Sequence, residues 1–121
     1  MKYVLNEELL NSCKSADDVV MLEYIASIIH ISKQTTNADS KSYITTTKDN
    51  VFWVALTYTA MQREINYMSI SQIRTSVKHL VNAGFIELSV FNANNVCTAF
   101  RWFTLTEKGE NLINKYIEDL L

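Results

Sequence analysis

Ser69 to Gly109 is the stretch that most constrains what this chain can fold into. Ser69 and Gln72 have the S-x-x-Q spacing of a capping box, in which a hydroxyl and a carboxamide each satisfy an orphan backbone N–H at a helix start. Ile70, Ile73, Val77, Leu80 and Val81 follow at helical spacing and predict a helix running to about Ala83. Gly84 can take the left-handed conformation that closes it. Phe85–Val90 and Thr98–Leu105 read as strands, and the asparagine-rich Phe91–Asn95 between them as a turn, because asparagine tolerates positive φ. Thr106 then caps a last helix whose Leu112, Ile113, Tyr116, Ile117 and Leu120 form an apolar stripe. The order is helix, hairpin, helix.

Upstream the pattern is less uniform. Asn6–Ser12 reads as a short helix. Ser15, with Asp18 three residues on, is a weaker capping box, and Val19, Leu22, Ile25, Ile28 and Ile29 recur behind it at helical spacing. Residues 32–50 are rich in Thr, Ser, Asn and Lys and read as a long polar loop, with Tyr43–Thr47 as a possible strand on its β-branched content. Val51–Ala55 is either a short strand or the start of a longer helix from Asn50. The strand is favoured, because Thr57 then serves as N-cap for a helix over Tyr58–Ile65, with Asn66–Met68 as the turn.

The chain has 121 residues and a hydrophobic content of 48%, enough for the core of one domain. Cys13 and Cys97 are far apart and imply neither a metal site nor a disulfide framework. The most apolar stretch, Val19–Ile31, has 13 residues and includes Glu23 and His30, too short and too polar to span a bilayer. With no signal peptide either, a cytoplasmic location is expected. A Gly-rich phosphate loop, a nucleophile elbow and a metal-ligand cluster are all missing from the sequence, so an enzyme is not expected, nor a cofactor.

Charge points the same way as the motif. The formal net charge is −2, an acidic balance for a nucleic-acid binder. It is unevenly spread. Residues 1–56 hold five Lys and Arg against seven Asp and Glu, and residues 106–121 hold two against four. Residues 57–105 hold Arg63, Arg74, Lys78 and Arg101 against only Glu64 and Glu87. On a helical wheel of about 100° per residue, Ser71, Gln72, Arg74, Thr75, Lys78 and His79 lie opposite or beside the apolar stripe of the Ser69–Ala83 helix. Glutamine can pair with adenine N6 and N7, and arginine with guanine O6 and N7. Ser69, Ser71, Gln72, Arg74 and Thr75 lie in the half of the helix that approaches bases, and Lys78 and His79 are better placed for phosphate. Asn92, Asn94 and Asn95 at the hairpin tip are candidates for minor-groove or backbone contact, and Arg101 on the return strand for a phosphate. For His79 a plain solvent-exposed histidine is the competing expectation. Trp53, Phe85, Phe100, Trp102 and Phe103 are expected in the core.

Residues 69–116 resemble the winged-helix domain of MarR-type and related bacterial regulators. There a helix ending in L-x-x-x-G-x-I, here Leu80 to Gly84 and Ile86, precedes a wing and then the run Leu105-Thr-Glu-Lys-Gly109. Trp53, Tyr58, Tyr67, Ser69, Gln72–Arg74 and Arg101–Leu105 are also similar in order to small winged-helix proteins of phages and plasmids, several of them replication-initiation or replisome-organiser domains. The wing departs from the MarR pattern, with asparagines and a single Arg101 where an Asp and two arginines are usual. The resemblance implies a mainly α fold with a small β-hairpin wing, a winged helix-turn-helix. It forms one domain over residues 1–121: N-terminal helix 15–32, polar loop 32–50, helix-turn-helix 57–84, wing 85–105 and C-terminal helix 106–121. The implied partner is double-stranded DNA, read sequence-specifically by a transcriptional regulator of a phage or other mobile element. A homodimer through the N- or C-terminal helices would raise avidity on a palindrome. A replication accessory protein, or a winged helix that binds protein instead of DNA, are the alternatives.

Overall fold

The computed structural model describes residues 7–34, 43–90 and 100–116. Among them the architecture is α+β, with five helices and one four-stranded antiparallel sheet. In chain order the elements are α1 (Glu7–Ser12), α2 (Ala16–Gln34), β1 (Ile44–Lys48), β2 (Val51–Leu56), α3 (Tyr58–Ile65), α4 (Ile70–Asn82), β3 (Ile86–Ser89), β4 (Arg101–Leu105) and α5 (Glu107–Ile113). The sheet order is β1-β2-β4-β3.

The centre of the fold is α2. Ser15 opens it, its hydroxyl oxygen accepting the Asp18 N–H at 3.3 Å. Every residue from Asp18 to Ile29 is buried. The five-residue stripe expected from the spacing is therefore only part of the buried surface, since Val20, Met21, Tyr24 and Ala26 are enclosed as well. The physical reason is in the residues: VVMLEYIASII is apolar on all sides but for Glu23 and Ser27, and a helix apolar all round belongs inside a core. The β2–β4 face, α3, α4 and α5 supply its neighbours: Val54, Leu56, Met61, Ile73, Val77, Leu80, Phe103 and Ile113 share one cluster with it.

The polar stretch over 32–50 is corrected by the structure. Helix α2 runs on to Gln34, and Ile44–Lys48 is a strand paired with β2 from Ile44↔Ala55 to Lys48↔Val51. Asp49 and Asn50 make the two-residue turn with φ of 54° and 65°, the mirror-image geometry that matches strand twist. The strand expected over Tyr43–Thr47 on β-branched content is thus present, shifted by one residue to Ile44–Lys48. The hairpin at 85–105 is accordingly half of a larger sheet, its β4 lying next to β2 with Val54↔Phe103 and Leu56↔Arg101.

Period-two alternation divides the aromatic residues between the sheet faces. Phe103 and Phe85 lie in the α2 core. Trp53, Ala55 and Trp102 form a second buried cluster on the opposite face, with Val51 and Phe100 packed against it. The C-terminal helix is shorter than expected: α5 ends at Ile113, followed by a turn to Tyr116. Leu112 and Tyr116 of the expected stripe are half-buried and Ile113 is buried, while Ile117 and Leu120 lie outside the described residues. Among the described residues no helix is long and apolar enough to cross a membrane.

The two ends of the described chain are tied together. The Tyr116 hydroxyl donates to Glu8 Oε1 at 2.6 Å, and Lys115 Nζ lies 3.1 Å from Glu8 Oε2. These contacts hold the Glu8 carboxyl below its ordinary value of 4.5, the tyrosine hydrogen bond first and Lys115 second. A depressed carboxyl contributes stability above its unfolded pKa and loses it as pH falls through the folded one. Amide exchange across α1 should therefore speed up as pH is lowered from neutrality to below 4.5, beyond the intrinsic pH effect, and this excess should disappear in Tyr116→Phe combined with Lys115→Ala.

Candidate nucleic-acid interface

The helix expected to carry the site, α4, is fixed at both ends by its own sequence. At the start both halves of the capping box are made: the Ser69 hydroxyl oxygen accepts the Gln72 N–H at 3.1 Å, and Gln72 Oε1 accepts the Ser69 N–H at 2.7 Å. Met68 just before the cap and Ile73 in the first turn are both buried in the main core, the pair used by a hydrophobic staple. At the finish Gly84 has φ 82°. The Phe85 N–H reaches back to Leu80 O and the Gly84 N–H to Val81 O, each at 3.0 Å. This is the six-to-one and five-to-two pair of a Schellman closure, with Leu80 and Phe85 as its apolar contact.

The run Leu105-Thr-Glu-Lys-Gly109 locks that closure. The Thr106 hydroxyl donates to Gly84 O and accepts the Gly109 N–H, and the Thr106 N–H donates to Phe85 O at 3.1 Å. Lys108 Nζ donates to Ala83 O at 2.7 Å and stands 4.8 Å from the centre of the Phe85 ring. Gly109 packs so closely that a Cβ there would fall 2.0 Å from Phe85 O. The motif is thus a clamp between the start of α5 and the α4–β3 corner, and its glycine is required by space.

With one side of α4 held on the core by Ile73, Ser76, Val77 and Leu80, the opposite side is exposed at Ser71, Gln72, Arg74, Thr75, Lys78 and Asn82. Ser71, Thr75, Lys78 and Asn82 follow one another at spacings of four, three and four, a single stripe along the helix. Ile70 and Val81 are only half-buried, at the edges of the apolar face. Thr75 donates its hydroxyl to Ser71 O at 3.0 Å and keeps an acceptor lone pair outward. The Gln72 oxygen is engaged in the cap, so a bidentate adenine contact would have to break that half of the box. Arg74 leans toward α3, its guanidinium carbon 5.3 Å from the centre of the Tyr58 ring.

His79 is half-buried and paired with a carboxylate, not a plain exposed histidine. Its Nδ1 lies 3.0 Å from Asp18 Oδ2 and 3.2 Å from Oδ1, and its side chain is 31% exposed against 2% for Asp18. The Asp18 carboxylate, which the capping spacing suggested would fold back on its own helix, instead crosses to α4. A buried carboxylate needs a partner, and His79 supplies one. Cys13 lines the same cleft as this pair. Burial first, then the charges of Asp18 and Glu23, push its thiol up to about 11, so there is no appreciable thiolate at neutral pH and the trio is not arranged for nucleophilic chemistry.

Sheet register brings the remaining cation to the same end of the fold. Arg101 stands opposite Leu56, the last residue of β2. Thr57 then caps α3, its hydroxyl oxygen accepting the Ala60 N–H at 3.1 Å, and Tyr58 under Arg74 is the first helical residue. Arg74 thus stands on Tyr58, while the Arg101 backbone pairs with Leu56 two positions earlier and its guanidinium donates to Phe100 O at 3.3 Å. Asn92, Asn94 and Asn95 of the expected wing tip lie outside the described residues. No family model, curated protein or solved structure matches the chain.

Two changes test this scaffold by urea unfolding. Gly109→Ala should lower stability by about 2–3 kcal/mol, because backbone must move to admit the Cβ. His79→Ala should cost about 1–3 kcal/mol by leaving a buried carboxylate short of a partner. Asp18→Asn in the His79→Ala background should recover part of that loss.

Proposed function

We propose that this chain is a winged helix-turn-helix protein that binds double-stranded DNA, with α4 in the major groove and the β3–β4 hairpin as the wing. The observation that carries this reading is the exposed stripe of α4, where Ser71, Arg74, Thr75 and Lys78 face outward from a helix clamped at both ends. The major groove accepts a helix of this kind, and its base edges suit hydroxyls and arginine. In the order α2, β1, β2, α3, α4, β3, β4, α5, the exposed helix α4 is followed by a hairpin and then a helix, which supports the same reading. Arg74 reads a guanine edge, Ser71 and Thr75 make shorter base contacts, and Lys78 and Arg101 neutralise phosphates.

Few cations make one copy a weak binder, so the functional unit in this reading is a homodimer on a palindromic site. Most of α2 is buried in the core of its own chain. The pairing surface is then the side formed by α1 and α5, where Leu10 is exposed and Leu112 half-buried. A transcriptional regulator, as of a mobile element, fits these parts best. Footprinting on the DNA upstream of the gene separates it from a replication accessory protein, by protection of a promoter or of origin repeats. A second reading, a winged helix that docks on protein, is favoured by the net charge of −2.

A salt titration decides between DNA and protein. Neutralising two to four phosphates predicts a slope of log K against log salt of about −2 to −4. Absence of duplex binding at low salt would sink the DNA reading. Arg74→Ala should lose about 1–3 kcal/mol on the preferred sequence and relax that preference, whereas Lys78→Ala should weaken all duplexes alike.

A further inference from the structure

We infer that Tyr58 is a specificity-determining positioning residue, a ring that holds Arg74 in the one posture from which α4 reads DNA. The inference rests on the DNA-binding reading and adds a residue to it that has no base or phosphate to contact itself. The guanidinium carbon of Arg74 lies 5.3 Å from the Tyr58 ring centre, within the range of a cation–π contact. Arginine suits such a contact because its planar, weakly hydrated guanidinium stacks on an aromatic face and still directs N–H groups outward in its own plane.

The ring itself is firmly held. Tyr58 is the first residue of α3, directly after a satisfied Thr57 cap, and it packs against the main core cluster that Leu56, Met61 and Ile73 help to build. Arg74 is different: it is exposed, and the described contacts that hold its neighbours do not hold it. Gln72 is tied into the capping box and Thr75 into the helix backbone. Tyr58 therefore does for Arg74 what the cap does for Gln72. A long side chain loses rotamer freedom when it docks on a base, and one already confined loses less. Confinement acts on the productive contact alone. On random DNA, where Arg74 has no base edge to match, it adds little. Hence the ring should set the ratio of specific to non-specific affinity more than affinity as such.

The same contact couples two helices. Arg74 lies in the first half of α4 and Tyr58 at the start of α3, so the contact runs from one helix to the next. Tyr58 and Arg74 accordingly behave as a unit. Once the ring is gone, the arginine should contribute little more than a mobile charge.

The test uses the full chain and a short duplex enriched from a random pool by the wild-type protein, beside an unrelated duplex at the same salt. Tyr58→Leu should lose about tenfold on the enriched duplex and almost nothing on the unrelated one. Tyr58→Phe should bind both as wild type does, because the ring is kept. Arg74→Ala and the Arg74→Ala, Tyr58→Leu double variant should be nearly equal in preference, the non-additivity of two residues acting as one. A merely structural role for Tyr58 would lower binding to both duplexes together and leave the ratio unmoved, which overturns the inference. So would loss of preference in Tyr58→Phe equal to that in Tyr58→Leu, since the hydroxyl would then be the contacting group. If the wild-type chain enriches no sequence, the DNA-binding reading falls and this inference with it. If it enriches one and Tyr58→Leu keeps the full preference, this inference alone falls.

Discussion

The corner at Ala83–Phe85 is where the fold is held together. Three carbonyls in succession, Ala83, Gly84 and Phe85, accept from Lys108, the Thr106 hydroxyl and the Thr106 N–H. Last-turn helix carbonyls such as those near Ala83 have no partner within their own helix, and buried carbonyls left that way are costly. Thr106 meets this need while capping its own helix, with one hydroxyl donating to Gly84 and accepting from Gly109. One small knot therefore ends α4, starts β3, ends β4 and starts α5. Moving any of these four elements strains the other three. The exit direction of the hairpin relative to α4 is set here, and with it any surface the two present jointly.

The helix at the centre works on a different principle. Helix α2 has no polar face to orient it, so specificity has to come from the polar groups it does bury. Asp18 is the clearest case. Its carboxylate is 2% exposed and bound to His79, so turning α2 against α4 would strip a buried carboxylate of this partner. The pair fixes its azimuth, and through it the position of the α4 face that points away.

What could be read in the sequence, and what could not, follows the range of the interactions. The bounds of α3 and α4 are set by chemistry within four residues: the Thr57 cap, the Ser69–Gln72 box and the glycine at 84. These were legible, and so were the strands flanking the Asn-rich turn. The run Leu105 to Gly109 was legible as a motif, but its role as a clamp was not, because its partners lie more than twenty positions upstream. Strand β1 was visible in its β-branched threonines, but its pairing with β2 through the Asp49–Asn50 turn was not. The Asp18–His79 pair spans 61 positions, and the Arg74–Tyr58 stack depends on how two helices cross. No local pattern encodes either. The exposure of Ser71, Arg74, Thr75 and Lys78 was legible from helical periodicity; the pairing of Arg101 with Leu56 beside the start of α3 was not, because sheet register decides it.

The division of labour within α4 bears on how the chain would read DNA. Gln72 is the residue type best matched to adenine, yet its oxygen already accepts a 2.7 Å hydrogen bond from Ser69 N–H. Using that oxygen on a base would release an orphan N–H at the start of the very helix that must stay rigid. The loss of a cap is comparable in size to the gain from one base contact, both about 1–2 kcal/mol. With gain and loss nearly cancelling, Gln72 would add little net discrimination by leaving the cap. In the proposed DNA-binding reading, discrimination then falls to Ser71, Thr75 and Arg74, of which Thr75 already donates its hydroxyl to Ser71 O and has only an acceptor left for a base. Ser71 and Thr75 offer one short hydroxyl each. Arg74 alone reaches far and has several donors in a fixed plane. If the proposed DNA-binding reading holds, a face built this way would concentrate its discrimination in one arginine, and whatever fixes that arginine would fix the preference.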